Sequence, residues 1–343
     1  MRLVALLLAI LLAGCERPLP PGTTELIYAT PYSPGHPFSR ADQRWIEFVE
    51  ARSGGTLRIR PIWSGGLLSS DMSMEELRHG VADIGLITPI YARGGSHFLR
   101  IQTGFYSGAD SIDAQLQLYR CIDAAEPQVA RELHGLKLLA VQGGALPGIV
   151  TRDRPVRTLD DLQGLRIRAP TELLSVLDRL GVDAVNMPMG DVYSALAKGV
   201  IDGVIAPPDT FSALHFAEVA DYYATLAIPR GAYPSRAMGL DRWNLLTEAE
   251  RAILTESIPV WENALTEEVQ AATERGLAEA RRQNIRTTTF SDAEQHRFDR
   301  LYLEDAEQNA RALRDVGIDA THAFRTARAS VRGRNQISCR SPT

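Results

Sequence analysis

The chain has 343 residues, 45% of them hydrophobic, with 37 basic and 42 acidic side chains and a formal net charge of -5. That length and apolar content suffice for large cores in about two domains. The acidic balance argues against nucleic acid, which asks for a basic footprint, and beyond the N-terminus no run of about 20 apolar residues offers a membrane span.

The N-terminus reads as a targeting segment. Arg2 precedes an apolar run over residues 3–12, and Leu12-Ala13-Gly14-Cys15 ends it. Small residues before a cysteine predict a lipoprotein signal over residues 1–14, with Cys15 lipidated and anchoring the protein to a membrane. The other reading is an ordinary signal peptide with a stray cysteine. The Pro-rich residues 15–24 then form a tether. In an exported, oxidising compartment Cys121 and Cys339 can pair. Otherwise Cys121 is buried and free, and Cys339 lies in an unordered tail.

Residues 24–32, TELIYATPY, read as a strand ending in turn chemistry, SPGHP. Phe38, Ala41, Trp45, Phe48 and Val49 recur at helical spacing. Leu57 and Ile59 alternate with Arg58 and Arg60 in a second strand, Asp71 can cap the next helix, Gly80 ends it, and ADIGLIT is a third strand. This βαβαβ opening predicts a parallel sheet. LKLLAVQ and GIVTR are strand-like, TLDDLQG is a short helix capped by Thr158, and LRIRAP is a strand. TELLSVLDRLG is a helix with Thr171 as N-cap, followed by the helix GDVYSALAKG and the strand VIDGVIA. Thr247 and Glu250 have capping-box spacing and begin two or three long helices that can brace two lobes.

One phrase is written twice, LRHGVADIGLI (residues 77–87) and LAKGVIDGVIA (residues 196–206). Each copy is a helix end, a glycine suited to positive φ, and a strand. The repeat predicts two similar α/β lobes. Asp83 and Asp202 enter their strands at the N-terminal end and read as structural, since ligands of open α/β sheets bind at the carboxyl ends. The residues beyond each strand, Thr88, Pro89 and Tyr91 in one lobe and Pro207, Pro208 and Asp209 in the other, are placed to line a cleft. Arg166 and Arg168 share a strand face, and Arg168, nearer the carboxyl end, can offer a bidentate fork to a carboxylate. The bland alternative is a surface arginine on an edge strand. Met187 and Met189 sit at a strand-to-helix junction, either core filling or packed on an apolar ligand. Cofactor and enzyme fingerprints (GxSxG, Walker loop, GxGxxG, HExxH) are missing, and the seven histidines are not spaced as metal ligands. No catalytic residue, metal ligand or cofactor is therefore predicted.

Four stretches in order resemble the DctP-type substrate-binding proteins of tripartite ATP-independent periplasmic (TRAP) transporters: GHPFSRADQRWIEFVEARSGGTLRIRPIWSGGL, ELRHGVADIGLI, DDLQGLRIRAP and MPMGDVYSALAKGVIDGVIAPPD. The likeness runs from about Leu26 to Ala310. It implies a two-lobed periplasmic-binding-protein-like α/β fold with crossing strands and a long bracing helix. The expected division is residues 25–147 plus about 235–283 in the first lobe, 148–234 plus about 284–330 in the second, and an unstructured tail over 331–343. It implies no enzyme but a solute receptor, with Arg168 salt-bridged to a small carboxylate, Met189 against its body, and Tyr32, Thr88 and Tyr91 on first-lobe loops. Its partners would be the integral membrane TRAP subunits. Two departures stand out. Relatives often carry a second arginine where this chain has Gly148, and DGxEN where it has DGVIAPPD. Both remove polar grip, which favours a monocarboxylate with an apolar or aromatic body, with Asp209 receiving a hydroxyl. A periplasmic enzyme or a sensory co-receptor on the same scaffold is the alternative.

Overall fold

The computed structural model describes residues 20–340; the reading of Cys15 as a lipid anchor falls outside them. The chain opens with β1 (Thr24–Ala29), the helix Pro37–Arg52, β2 (Leu57–Ile62), the helix Ser73–Arg78 and β3 (Ile84–Leu86). Alternation decides β2, where Leu57 and Ile59 are buried and Arg58 and Arg60 exposed. Pro37 fits the first helical turn, where its missing N–H costs nothing, and the His36 imidazole caps the helix by accepting the Phe38 N–H at 3.2 Å. Asp71 does not cap the next helix: that helix starts behind Met72 without a side-chain cap, and Asp71 pairs with Arg93 at 2.5 Å instead.

The chain continues through β4 (Leu136–Gln142), β5 (Gly148–Thr151), β6 (Arg166–Arg168), β7 (Asp183–Val185), β8 (Gly203–Ala206), β9 (Tyr222–Ala224), β10 (Tyr233–Gly239) and β11 (Arg286–Thr288). Two sheets result, ordered β2-β1-β3-β10-β4 and β11-β9-β5-β8-β6-β7. The β1, β2 and β3 strands are parallel, while β10 runs antiparallel between β3 and β4. Chain therefore crosses between the sheets after β4 and returns before β10. Each sheet with its helices forms one α/β lobe, as the doubled phrase predicts.

The helix Ile258–Arg282 spans both lobes. Near its start Trp261 stacks on Trp45 at 3.7 Å in the first-lobe core. Near its end Ala280 joins Val204 and Phe211 of the second. Between them Gly276 meets the Pro208 carbonyl, where even a methyl group would stand 2.0 Å from the oxygen. A buried polar network fixes the upper end. Asp42 and Arg236 form an ion pair at 2.9 Å with neither side chain exposed, and Asp42 also accepts from the Trp261 indole at 2.9 Å and from the Tyr28 hydroxyl. Such a pair is tolerable because hydrogen bonds satisfy the buried carboxylate.

Two expectations about the C-terminus change. The helix Thr321–Ser330, expected with the second lobe, packs Ala323, Phe324 and Ala327 into the core that holds Phe105 and Leu118 of the first. Of the expected tail, residues 331–337 are not unstructured: Val331–Gly333 pairs with Gln336–Ile337 in a short hairpin. The Asn335 amide oxygen accepts the N–H groups of Asp110 and Ser111, both at 2.7 Å. Cys339 is bonded to Cys121 across a Cα separation of 5.0 Å. Polar docking and a disulfide order this segment, and neither leaves a hydrophobic period in the sequence.

Candidate functional site

The doubled phrase builds the two cleft rims. Gly80 and Gly199 take φ of 71° and 66°, and the next residue in each copy closes back five positions, Val81 to Glu76 and Val200 to Ala195, both at 2.9 Å. This is the Schellman closure, which needs a residue tolerant of positive φ. The aspartates then pin the strand. Asp83 donates its N–H to the Ile27 carbonyl at 3.0 Å while its carboxylate accepts the Ile27 N–H at 2.7 Å. Asp202 does the same with Arg166, at 2.8 and 2.7 Å. The partner is the neighbouring parallel strand rather than the local turn.

Beyond β3 and β8 the chain enters a cavity of about 900 Å³, its open mouth included. Tyr32, Thr88, Tyr91, Arg168, Met189 and Asp209 all line it. Arg168 is only 2% exposed, and β6 lies between β7 and β8, so it is no edge-strand surface arginine. Its Nε donates to the Met187 carbonyl at 3.0 Å and its Nη2 to the Tyr91 hydroxyl at 2.5 Å. Both acceptors are neutral. Among the described residues no carboxylate is in salt-bridge contact with it. Arg166, two residues earlier, is exposed and paired with Asp183 at 2.6 Å. Met187 contributes its carbonyl, whereas Met189 faces the cavity. The Thr88 hydroxyl is spent on the Ser70 carbonyl. Thr171 is not an N-cap: it lies within a short turn behind Pro170, and its hydroxyl donates to the Ile90 carbonyl at 3.3 Å, across the cleft.

The walls are largely apolar and aromatic. Tyr32 stacks on His36 at 4.0 Å and meets the Phe38 ring edge-on. Burial, helped by Arg40 and Arg236, pushes the His36 pKa down to about 3, so it is a neutral stacking surface at physiological pH. Ile90, Leu173, Ile205 and Leu214 add aliphatic area.

Sequence reasoning missed six polar lining residues: His36, Thr103, Glu172, Thr210, Arg230 and Tyr233. Glu172 has Oε2 buried without a hydrogen-bond partner, as does Asp209 at Oδ1. Burial raises Glu172 to about 7, against the pull of its own backbone N–H, Arg168, Thr103 and Arg230. Burial raises Asp209 to about 6, against Arg230. The expected loss of a second arginine is half right. At Gly148 a Cβ would lie 2.6 Å from the Ala224 carbonyl and 2.6 Å from the Tyr223 ring, so no side chain fits. A second guanidinium nevertheless reaches the cavity, from Arg230 on the returning crossover.

A two-lobed α/β fold with a buried, anion-ready arginine in the interlobe cavity defines a periplasmic-type solute-binding protein. Residues 28–310 match the family described as bacterial extracellular solute-binding protein, family 7, and the chain belongs to that family, whose members serve TRAP transporters. A solute-binding protein of Chromohalobacter salexigens is 26% identical over 239 residues, 66% of this chain and 67% of that protein. The alignments with the next two curated relatives span only 52% and 42% of those proteins. The fold superposes on a TRAP solute-binding protein of Rhodoferax ferrireducens with copurified benzoate, TM-score 0.81 and 22% identity over 90% of this chain and 97% of that one. A protein from Sulfitobacter sp. NAS-14.1 with bound β-D-galacturonate gives 0.73 and 18%, over 88% and 99%. One fold thus carries both an aromatic acid and a sugar acid, and ligand choice must be argued from this chain's own residues.

Proposed function

We propose that the protein captures a small organic monocarboxylate between its lobes and delivers it to the membrane subunits of a TRAP transporter. The observation that carries this is Arg168: a buried guanidinium satisfied only by neutral acceptors, opening into a mainly apolar cavity. A carboxylate there completes the charge and forms charge-assisted hydrogen bonds. Tyr32, Phe38 and Tyr91 on one wall and Leu173, Met189 and Ile205 on the other suit an apolar or aromatic body. Contacts from both lobes to one ligand favour the closed state, which is how binding signals a hinged receptor's partner. Lipidation of Cys15 would hold the receptor at a membrane surface.

Thermal-shift screening with aromatic, keto and sugar acids and succinate tests the reading. Stabilisation by aromatic or keto monocarboxylates is expected; sugar acids or succinate as the sole hits overturn it. Glu172 and Asp209, with raised pKa values, are also what an acid–base enzyme would use. Turnover of a stabilising ligand would favour that second reading.

A further inference from the structure

We infer that Arg230 and Asp209 form a second polar subsite in the same cavity, which reads a neutral hydroxyl on the ligand. The inference rests on the carboxylate reading of Arg168 and adds a specificity site to it. Arg230 lies on the crossover returning from β9 to β10 and packs on the outgoing one. A Cβ on Gly144 would fall 2.4 Å from its guanidinium carbon, so the guanidinium occupies the space a side chain would need. Next to it, a Cβ on Gly231 would fall 2.5 Å from Thr103 Cα. Arg230 is thus wedged where the lobes connect, and it is among the residues that line the cavity.

Asp209 comes from the other direction, at the end of β8. It is 7% exposed, and its Oδ1 has no partner. Two arginines and two carboxylic acids therefore line one cavity without a salt-bridge contact among them in the described residues. Arg168 and Arg230 both bear on Glu172, and Arg230 bears on Asp209; Arg230 and Asp209 line the cavity together.

Charge selects the group that fits between them. A second carboxylate on Arg230 would face the Asp209 carboxylate, and an ammonium on Asp209 would face Arg230. A hydroxyl can accept from the guanidinium and donate to the carboxylate at once. A site built with buried polar groups rejects the analogue that leaves them unpaired.

Isothermal titration calorimetry on the full mature chain tests this with benzoate, its three monohydroxy isomers and isophthalate. At least one hydroxy isomer should bind tenfold or more tighter than benzoate. In Asp209→Asn and Arg230→Gln, each checked for folding by circular dichroism, that preference should fall below threefold; Arg230→Lys serves if Arg230→Gln does not fold. If benzoate binds but no isomer is preferred, isophthalate binds tightest, or the variants keep the preference, the subsite is wrong while the Arg168 reading stands. If none of these aromatic acids binds, the subsite is wrong, and the Arg168 reading also fails unless a keto monocarboxylate stabilises the protein in the screen.

Discussion

Gly276 offers the sharpest structural test of how the bracing helix governs the site. It meets the Pro207-Pro208-Asp209 turn, which closes one side of the ligand cavity. In Gly276→Ala the new methyl would stand 2.0 Å from the Pro208 oxygen, 2.7 Å from its carbonyl carbon and 2.8 Å from Asp209 Cα. Reaching an ordinary contact of roughly 3.4 Å requires helix and turn to part by about 1.4 Å. Overpacking of this kind costs about 1–3 kcal/mol, and alanine's helix preference returns about 1 kcal/mol. Urea unfolding should therefore show a net loss of about 0–2 kcal/mol. A displacement near 1 Å at Asp209 should weaken ligand binding about tenfold, by analogy with the sensitivity of positioned groups to such shifts. Gly190→Ala is the control, because its added Cβ meets nothing within 4 Å; it should gain up to about 1 kcal/mol. If Gly276→Ala is as stable as Gly190→Ala and binds ligand like the parent, the close approach does not hold the turn in place.

Three further outcomes follow from other parts of the molecule. The Cys121–Cys339 bridge closes a separation of 218 residues, for which chain entropy sets a ceiling of about 5 kcal/mol; Cys339→Ser should lower the melting temperature by several degrees, and an unchanged melt under reducing and oxidising conditions would contradict this. Asp42→Asn leaves Arg236 buried without its counter-charge and should cost about 3–5 kcal/mol in urea unfolding; a loss below about 1 kcal/mol would mean the pair is not isolated from water. Glu172 sits above its ordinary range of 4.5, at about 7, so the folded state holds the proton more tightly than the unfolded one. Its contribution to stability is full below about pH 4.5 and is lost as pH rises through 7. Melts between pH 4.5 and 8.5 should show that decline, and Glu172→Gln should flatten it.

Much of this was readable from residue order. The βαβαβ opening showed because alternation in β2 and helical spacing from Phe38 to Val49 are local properties, and Arg168 stood out because its strand ends at Pro170. β10 was not legible. Its sequence, YPSRAMG, carries a proline and an arginine, yet every residue in it is buried. Arg236 can lie there only because Asp42, far away in sequence, is waiting for it. Arg230 was hidden for a similar reason: its place depends on a Cβ missing from Gly144 across the crossover. Asp209 was found because it follows the repeated phrase, whereas Glu172, beside the motif arginine, was absorbed into a helix start. Local pattern reveals elements; charged residues buried by distant partners need the fold.

The central claim is that one buried arginine selects a carboxylate. The direct measurement is calorimetric titration of the parent protein and Arg168→Gln with the tightest-binding acid of the screen and with its primary amide. Truncating a buried charge pair costs about 2–5 kcal/mol, so the acid should bind the parent roughly 30-fold or more tighter than the amide, and Arg168→Gln should abolish that preference. An amide that binds as well as the acid, or a variant that still prefers the acid, would contradict the account.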